Sequence, residues 1–305
     1  MRLGLDIGGT KIDAVALGDD AAVLARVRVA TGFGPDAVVR NALSAALQAA
    51  EAAEVSVAAL TSVGIGIPGI VDATAGVVRH AVNLGLGELA LGPILSEHLG
   101  VPVRVENDVN AASLGAFHLL GLAGSMAYLN LGTGVAAGFV NAGAVWRGAR
   151  GTAGEIGHIP IDPAGERCAC GQIGCLETLA GGGWVARKWG GEAELPVLEV
   201  FDAADAGDER AVALRDELVG GAAAAVRILV LTADVETVVI GGGVSNIGAR
   251  LLDRVRASLD ELARGSQFLG SLELPSRVRL VPPGQPVAAI GAALAGVAES
   301  EAIGA

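Results

Sequence analysis

Two hairpins of the same kind head the two halves of the chain. The first turns at Gly8, Gly9, Thr10 and Lys11, and the second at Gly132, Thr133 and Gly134. Each turn follows a short apolar strand and precedes another. One such hairpin could arise by coincidence, but its recurrence is typical of a duplicated fold. The repeat therefore predicts two lobes with a cleft between them.

Apolar runs and helical spacing predict an α/β protein around these hairpins. We expect a third strand near Ala22–Ala30 that extends the first hairpin into a meander. The other predicted strands are Leu3–Ile7, Val63–Ile67, Val101–Val105, Ala127–Leu131, Val135–Asn141 and Thr237–Ile240. The predicted helices are Pro35–Ala53, Val109 to about Leu120, and about Ala288–Ala298.

Composition excludes several classes of protein. The 305 residues suffice for two domains, and 33 acidic against 21 basic residues give a formal charge of −12. Such a charge opposes binding to nucleic acid or anionic lipid. The sequence has neither a signal-peptide pattern nor the ~18-residue apolar run of a membrane helix, so we expect a cytoplasmic protein. Its three cysteines are then expected as thiols or metal ligands.

The first glycine turn suits a triphosphate. Glycines let backbone N–H groups approach phosphate oxygens, Thr10 adds a hydroxyl and Lys11 adds a charge. Asp6, at the end of the preceding strand, could hold water around Mg²⁺. The GxxxxGK[ST] pattern of a P-loop is missing. The alternative is a hairpin turn without a ligand.

A carboxylate suited to general-base catalysis follows the strand that ends near Val105. Phosphoryl transfer needs alignment, charge stabilisation and a carboxylate that accepts the hydroxyl proton. Asp108 fits that role, and the amide of its neighbour Asn107 could fix the hydroxyl. The alternative is structural, with Asp108 capping a helix that begins at Val109.

Four potential metal ligands lie in one short segment, and they include every cysteine of the chain. His158, Cys168, Cys170 and Cys175 would fill a tetrahedral zinc site and leave no open position, which indicates a structural metal. The alternatives are free buried thiols, or a disulfide with one thiol left over.

These motifs together resemble the ROK family of sugar kinases, which have the two-lobed actin/hexokinase-like ATPase fold. The resemblance covers residues 3 to about 298 and is most specific where Glu-x-Gly-His precedes Cys-x-Cys-Gly-x-x-Gly-Cys. It implies an N-terminal lobe of residues 1–117 plus 289–305 and a C-terminal lobe of residues 118–288. The matching segments are Asp6–Lys11, Glu106–Asn110, Gly132–Gly134, Glu155–His158, the cysteine cluster and Gly241–Ser245.

The resemblance also implies which residues bind substrates. The sugar would contact Gly69, Asn83, Asn107, Asp108, Glu155, His158 and Glu177. The turn at Gly132, Thr133 and Gly134 resembles a second phosphate loop, and Gly242 and Gly243 belong to what looks like the adenosine-binding turn. The family often carries a Trp shortly after the position of Asn83, whereas Gly85, Leu86 and Gly87 follow here. This departure leaves the identity of the sugar open.

On this resemblance, the chain is expected to be an ATP- and Mg²⁺-dependent, zinc-containing hexose kinase that forms a homodimer or homotetramer. The leading acceptor is the 6-hydroxyl of glucose. N-acetylmannosamine, N-acetylglucosamine, mannose, fructose and allose are alternatives. A sugar-sensing repressor is disfavoured because only five residues precede Asp6. A polyphosphate-dependent kinase is disfavoured because no basic groove is apparent.

Overall fold

A computed structural model of the chain describes residues 1–190 and 195–296. It divides into two compact units. Unit 1 comprises Met1–Ala123, Phe139–Ala153 and the segment from Gly284, and unit 2 comprises Gly124–Gly138 and Gly154–Pro283. The lobe boundaries inferred from the resemblance stay a prediction, and their last residues, 297–305, lie outside the described residues.

The chain folds into an α/β protein, as the sequence predicts. The strands are β1 Arg2–Ile7, β2 Lys11–Leu17, β3 Val23–Ala30, β4 Ser62–Ile67, β5 Ile70–Asp72, β6 Val77–Ala81, β7 Leu86–Leu89, β8 Val103–Asn107, β9 Ser125–Leu131, β10 Val135–Asn141, β11 Ala144–Trp146, β12 Thr237–Gly241 and β13 Val278–Leu280. The helices are α1 Pro35–Ala52, α2 Leu91–Leu99, α3 Asp108–Leu119, α4 Leu176–Ala180, α5 Gly182–Trp189, α6 Pro196–Asp205, α7 Glu209–Ala233, α8 Ala249–Arg264, α9 Gln267–Ser271, α10 Leu274–Arg277 and α11 Val287–Ala295.

The main sheet of unit 1 has the strand order β3-β2-β1-β4-β8. β1, β2 and β3 form the predicted antiparallel meander, while β1, β4 and β8 run parallel. The buried faces of these strands are built from Leu, Ile, Val and Ala, and the apolar side of α1 packs against them. The predicted meander is confirmed.

The last helix, α11, packs on β1, β4 and α3 of the same unit. Small residues make this approach possible. A β-carbon on Gly64 of β4 would lie 1.7 Å from the carbonyl oxygen of Ala292, and one on Gly291 would lie 1.7 Å from that of Ala111. The predicted return of the last helix to the first half of the chain is confirmed, although Val297 and Ala298 lie outside the described residues.

Two smaller pieces complete unit 1. β5, β6 and β7 form an antiparallel sheet, which the sequence analysis did not anticipate. The end of β10 pairs with β11, with Phe139 opposite Trp146, and the segment continues to Ala153.

Unit 2 is built on the sheet order β10-β9-β12-β13, in which β9, β12 and β13 are parallel. The long helix α7 packs against α4, α6 and α8. Along both described ranges of the chain, no helix has the length and apolar character needed to cross a membrane.

Candidate functional site

Three parallel strands of unit 1 bring polar residues to one edge of the sheet. In the β1–β4–β8 ladder, Asp6 is opposite Gly66, and Gly66 is opposite Glu106. The carboxyl ends of parallel strands lie at the same sheet edge, which is where α/β proteins commonly bind ligands. Asn107 ends β8 there and Asp108 begins α3.

The Asp6 carboxyl is held in an unusual electrostatic environment. Burial raises its pKa from 3.8 to about 7, with the charges of Asp108 and Asp13 acting in the same direction and that of Lys11 opposing them. A divalent cation near Asp6 would favour the ionised carboxylate. The donor set therefore fits Mg²⁺, which is bound through one or two carboxylates and retained waters.

Asn107 caps α3. Its Oδ1 accepts hydrogen bonds from the backbone N–H groups of Val109 (2.9 Å) and Asn110 (3.2 Å), and its Nδ2 donates to the carbonyl of Gly69 (3.2 Å). The helix begins one residue earlier than predicted, because β8 continues through Asn107. The structural alternative that gave Asp108 the cap position is thus wrong: Asp108 is the first helical residue, although it also accepts from the N–H of Val109 at 3.0 Å.

The first glycine turn is anchored by a residue that the sequence analysis missed. The Gly8 N–H donates to the carbonyl of Lys11 (2.9 Å), and the Thr31 hydroxyl donates to the carbonyl of Gly8 (2.7 Å). The Thr31 N–H donates to the carbonyl of Thr10 at 3.1 Å. Thr31 is fully buried just after β3. A threonine that directly follows a predicted strand was the available signal.

The chain near Asn83 lies beside this turn. A β-carbon on Gly9 would come within 3.8 Å of the Asn83 β-carbon, and Gly34 N–H donates to the carbonyl of Leu84 at 2.9 Å. The residues directly after Asn83, up to Gly87, include no aromatic side chain, but the ring of Phe33 packs over Gly85. Phe33 is 75% exposed, which makes it an accessible aromatic surface next to Asn83.

Unit 2 brings the second glycine turn close to the Gly241–Ser245 segment. β9 and β12 are neighbours, with Asn130 opposite Gly241. Gly242 has φ +78°, and a β-carbon there would lie 2.5 Å from the carbonyl oxygen of Leu131. Glycine is therefore required at position 242, next to the residues that lead into the turn at Gly132.

The second glycine turn is also fastened to the start of α5. The N–H groups of Gly182 and Gly183 donate to the carbonyls of Gly132 (2.8 Å) and Thr133 (3.0 Å). Thr133 and Gly243 are exposed. The backbone of this turn is thus held in place while its threonine stays accessible to a ligand.

The four proposed metal ligands converge in unit 2. The ligand atoms of His158, Cys168, Cys170 and Cys175 all lie within 4.8 Å of one another. The Cys170 and Cys175 sulfurs are 3.6 Å apart, and the Cys168 sulfur is 3.9 Å from His158 Nδ1. Two thiolates bound at about 2.3 Å to a tetrahedral zinc lie about 3.8 Å apart. The cluster therefore fits a zinc ion.

The acidities of the three thiols differ widely. Burial raises the pKa of Cys168, and it raises that of Cys175 to about 12, whereas hydrogen bonds from Gln172 lower that of exposed Cys170 to about 6. Two of the three sulfurs would therefore be neutral on their own at pH 7. Zinc requires thiolates and supplies the charge that stabilises them.

The carboxylates that flank the cluster differ in their surroundings. Glu177 Oε1 lies 3.8 Å from the Cys168 sulfur, and its Oε2 accepts from the Val135 N–H at 3.2 Å. Glu155 is exposed and starts the short 3₁₀ turn that carries His158. A β-carbon on Gly157, within this turn, would lie 2.0 Å from the Val135 carbonyl, which explains the glycine of Glu-x-Gly-His.

Fold and sites define an α/β protein with the actin/hexokinase-like ATPase fold. The ROK family profile matches residues 2–295, so the chain belongs to the ROK family, as the sequence resemblance predicted. It is 32% identical to a glucokinase of Halalkalibacterium halodurans, over 87% of this chain and 88% of that protein. It is 34% identical to an N-acetylmannosamine kinase of Citrobacter koseri, over 79% and 83% respectively.

A solved structure also resembles the chain closely. The Streptomyces griseus ROK family glucokinase, in complex with glucose and AMPPNP, superposes with a TM-score of 0.80 at 29% identity, covering 97% of this chain and 98% of that one.

Proposed function

We propose that the protein is an ATP-dependent hexose kinase that phosphorylates glucose at its 6-hydroxyl. The observation that carries the proposal is the carboxylate pair of unit 1: Asp108 begins a capped helix beside Asp6, at the carboxyl ends of parallel strands. The kinship with ROK glucokinases supports the sugar kinase class, and the AMPPNP complex of one relative supports ATP as the donor.

In this mechanism Asp108 accepts the proton of the sugar hydroxyl as the hydroxyl oxygen attacks the γ-phosphorus of ATP. The bond between the γ-phosphorus and the β,γ-bridging oxygen breaks, and ADP leaves with that oxygen. Asn107 would hold the hydroxyl, and Glu155, His158 and Glu177 would bind further hydroxyls through charge-assisted hydrogen bonds. Gly69 and Asn83 would complete the sugar contacts. Phosphates would be bound by backbone N–H groups of the two glycine turns, with Thr10, Lys11 and Thr133, and adenosine by Gly242 and Gly243.

Two metals belong to the proposal. Mg²⁺, held through Asp6 and retained waters, would neutralise charge on the transferred phosphoryl group. A structural zinc on His158, Cys168, Cys170 and Cys175 would stiffen the segment that carries the sugar-binding residues. We also propose that the protein acts in the cytoplasm and forms a homodimer or homotetramer. Its mass in solution would test the oligomeric state.

The test is product formation with a panel of hexoses, ATP and Mg²⁺, with polyphosphate as a second donor. We expect glucose 6-phosphate from ATP, and a loss of kcat on the order of 10²–10⁴-fold in Asp108→Asn. The variant should still bind ATP and glucose. Absence of product with every sugar, or an Asp108→Asn variant as fast as the wild type, would contradict the proposal.

N-acetylmannosamine is the second candidate acceptor, because the chain is 34% identical to an N-acetylmannosamine kinase. It is included in the panel. A kcat/KM for N-acetylmannosamine above that for glucose would replace the acceptor and keep the kinase mechanism.

A further inference from the structure

In unit 1, an ion pair joins a half-buried arginine to a buried carboxylate that lies two residues before the proposed base in the chain. Glu106 is 4% exposed, and its Oε2 accepts a hydrogen bond of 2.7 Å from Arg147 Nε. Arg147 follows β11, 41 residues further along the chain. Neither residue is among those assigned to a substrate above.

The other carboxylate oxygen of Glu106 contacts both sides of Asp108. Its Oε1 accepts from the backbone N–H of Asn107 and from Asn110 Nδ2, each at 3.0 Å. Asn107 precedes the base and Asn110 lies in the first turn of α3. One buried carboxylate therefore fixes the backbone before the base and a side chain after it.

The guanidinium offsets the cost of burying this carboxylate. Removing one partner of a buried ion pair leaves a charge without compensation and is strongly disfavoured. Without Arg147, the Glu106 carboxylate would turn towards water and give up its bonds to Asn107 and Asn110. The N-cap residue Asn107 would then lose the acceptor of its backbone N–H and keep the bond from its Nδ2 to the carbonyl of Gly69.

We propose that Glu106 and Arg147 are positioning residues for Asp108, an inference that rests on the proposed kinase function. They contact neither substrate and act through Asn107 and Asn110. A misplacement of about 1 Å at a reacting group can cost about 10²-fold in rate. Their loss should therefore appear mainly in kcat.

A cavity beside the pair allows a direct test. It has a volume of about 260 Å³ and is lined by Glu106, Arg147, Arg104 and Thr74, among others. Arg147→Ala would enlarge it towards the Glu106 carboxylate. Guanidinium ion should be able to enter and replace the missing side chain.

For Arg147→Ala we expect kcat to fall on the order of 10²-fold, with the KM for ATP within about threefold of the wild type. Guanidinium chloride at tens of millimolar should restore at least about a tenth of the lost kcat, whereas sodium chloride at the same ionic strength should not. Rescue by guanidinium separates positioning from a general loss of structure, since a low concentration of this salt does not refold a protein.

The matched control is Arg79→Ala, which removes an arginine from an exposed pair with Glu88 at 2.9 Å in the same unit. Its kcat should equal that of the wild type, with or without guanidinium. If Arg147→Ala does not fold, the double variant Glu106→Met/Arg147→Met removes both charges, leaving none uncompensated, and removes the acceptor of Asn107 N–H and Asn110 Nδ2. Its kcat should also fall about 10²-fold, with no response to guanidinium.

A folded Arg147→Ala variant as fast as Arg79→Ala would overturn the inference. So would a loss of kcat that guanidinium does not reverse, or a double variant with the kcat of the wild type. These outcomes all require an active wild type. A wild type that phosphorylates no hexose would instead refute the proposed function.

Discussion

Glu177 accepts a hydrogen bond from the backbone N–H of Val135, so the helix after the cysteine cluster is tied to the second glycine turn. The same carboxylate lies 3.8 Å from the Cys168 sulfur through its other oxygen. A single side chain in unit 2 thus contacts both the proposed metal cluster and the proposed phosphate loop. Changes at either contact should affect sugar binding.

The first prediction concerns Gly134→Ala. The new β-carbon would lie 2.3 Å from Glu177 Oε2, the mobile end of a flexible side chain. We expect Glu177 to move aside, so that Tm changes by only a few degrees while the KM for glucose rises about tenfold, the loss of about one charge-assisted hydrogen bond. Steady-state kinetics and thermal denaturation measure both.

Gly87→Ala is the control, because no atom of the described residues lies within 4 Å of its new β-carbon. A KM for glucose unchanged in Gly134→Ala, despite correct folding, would show that Glu177 does not bind the sugar.

The second prediction concerns the metal. We expect one zinc per chain in the purified protein, and its loss in Cys170→Ser. Structural zinc contributes ~10 kcal/mol or more to the folding of small sites. In this larger unit, the variant should lose several degrees of Tm, and its KM for glucose should rise because His158 and Glu177 contact the cluster.

Ala169→Ser provides the matched control, since it adds the same hydroxyl at an exposed position of the same loop. It should retain zinc and the KM of the wild type. Wild-type protein free of zinc after purification without chelators would rule out the metal.

How far the sequence could predict these features depends on the range of the interactions. The cysteine cluster lies within one segment, so its spacing was enough to predict that these four side chains converge. The Glu106–Arg147 pair joins β8 to a loop 41 residues away, and an arginine among glycines reads as an exposed residue. Only the folded chain brings it to a buried carboxylate.

A one-residue error at α3 has a local cause. Asn107 and Asp108 are both favoured at helix N-caps, so residue preference could not choose between them. The choice is made by strand pairing: Asn107 is still opposite Ile67 in the β4–β8 ladder, so the helix starts at Asp108. The contact of Asn107 Nδ2 with the carbonyl of Gly69 reinforces this.

The third prediction is a pH dependence of stability that originates at Asp6. Its pKa is about 7 in the folded protein, against 3.8 for an exposed carboxyl of an unfolded chain. Between these pH values the folded state binds more protons than the unfolded state, so the free energy of unfolding falls as the pH rises from about 4 to about 7. Asp6→Asn removes this contribution.

Without Mg²⁺ and nucleotide, Asp6→Asn should be more stable than the wild type at pH 8 by at least about 1 kcal/mol, and this advantage should be smaller at pH 5. Urea denaturation at both pH values measures it. The exposed Asp260→Asn on α8 is the control and should show no such trend. An advantage of Asp6→Asn that is equal at the two pH values would contradict the assignment.

The fourth prediction tests the packing of α11. In Gly64→Ala the new β-carbon would lie 1.7 Å from the carbonyl oxygen of Ala292 and 2.5 Å from its carbonyl carbon. Both atoms belong to the helix backbone, so the whole of α11 would have to move away from β4. We expect a loss of about 3 kcal/mol or more in the free energy of unfolding, at the upper end for overpacked cores. In Gly265→Ala the new β-carbon has no neighbour within 4 Å along residues 1–190 and 195–296, so this variant should not lose stability. Equal stabilities of the two variants would mean that α11 does not pack closely on the sheet.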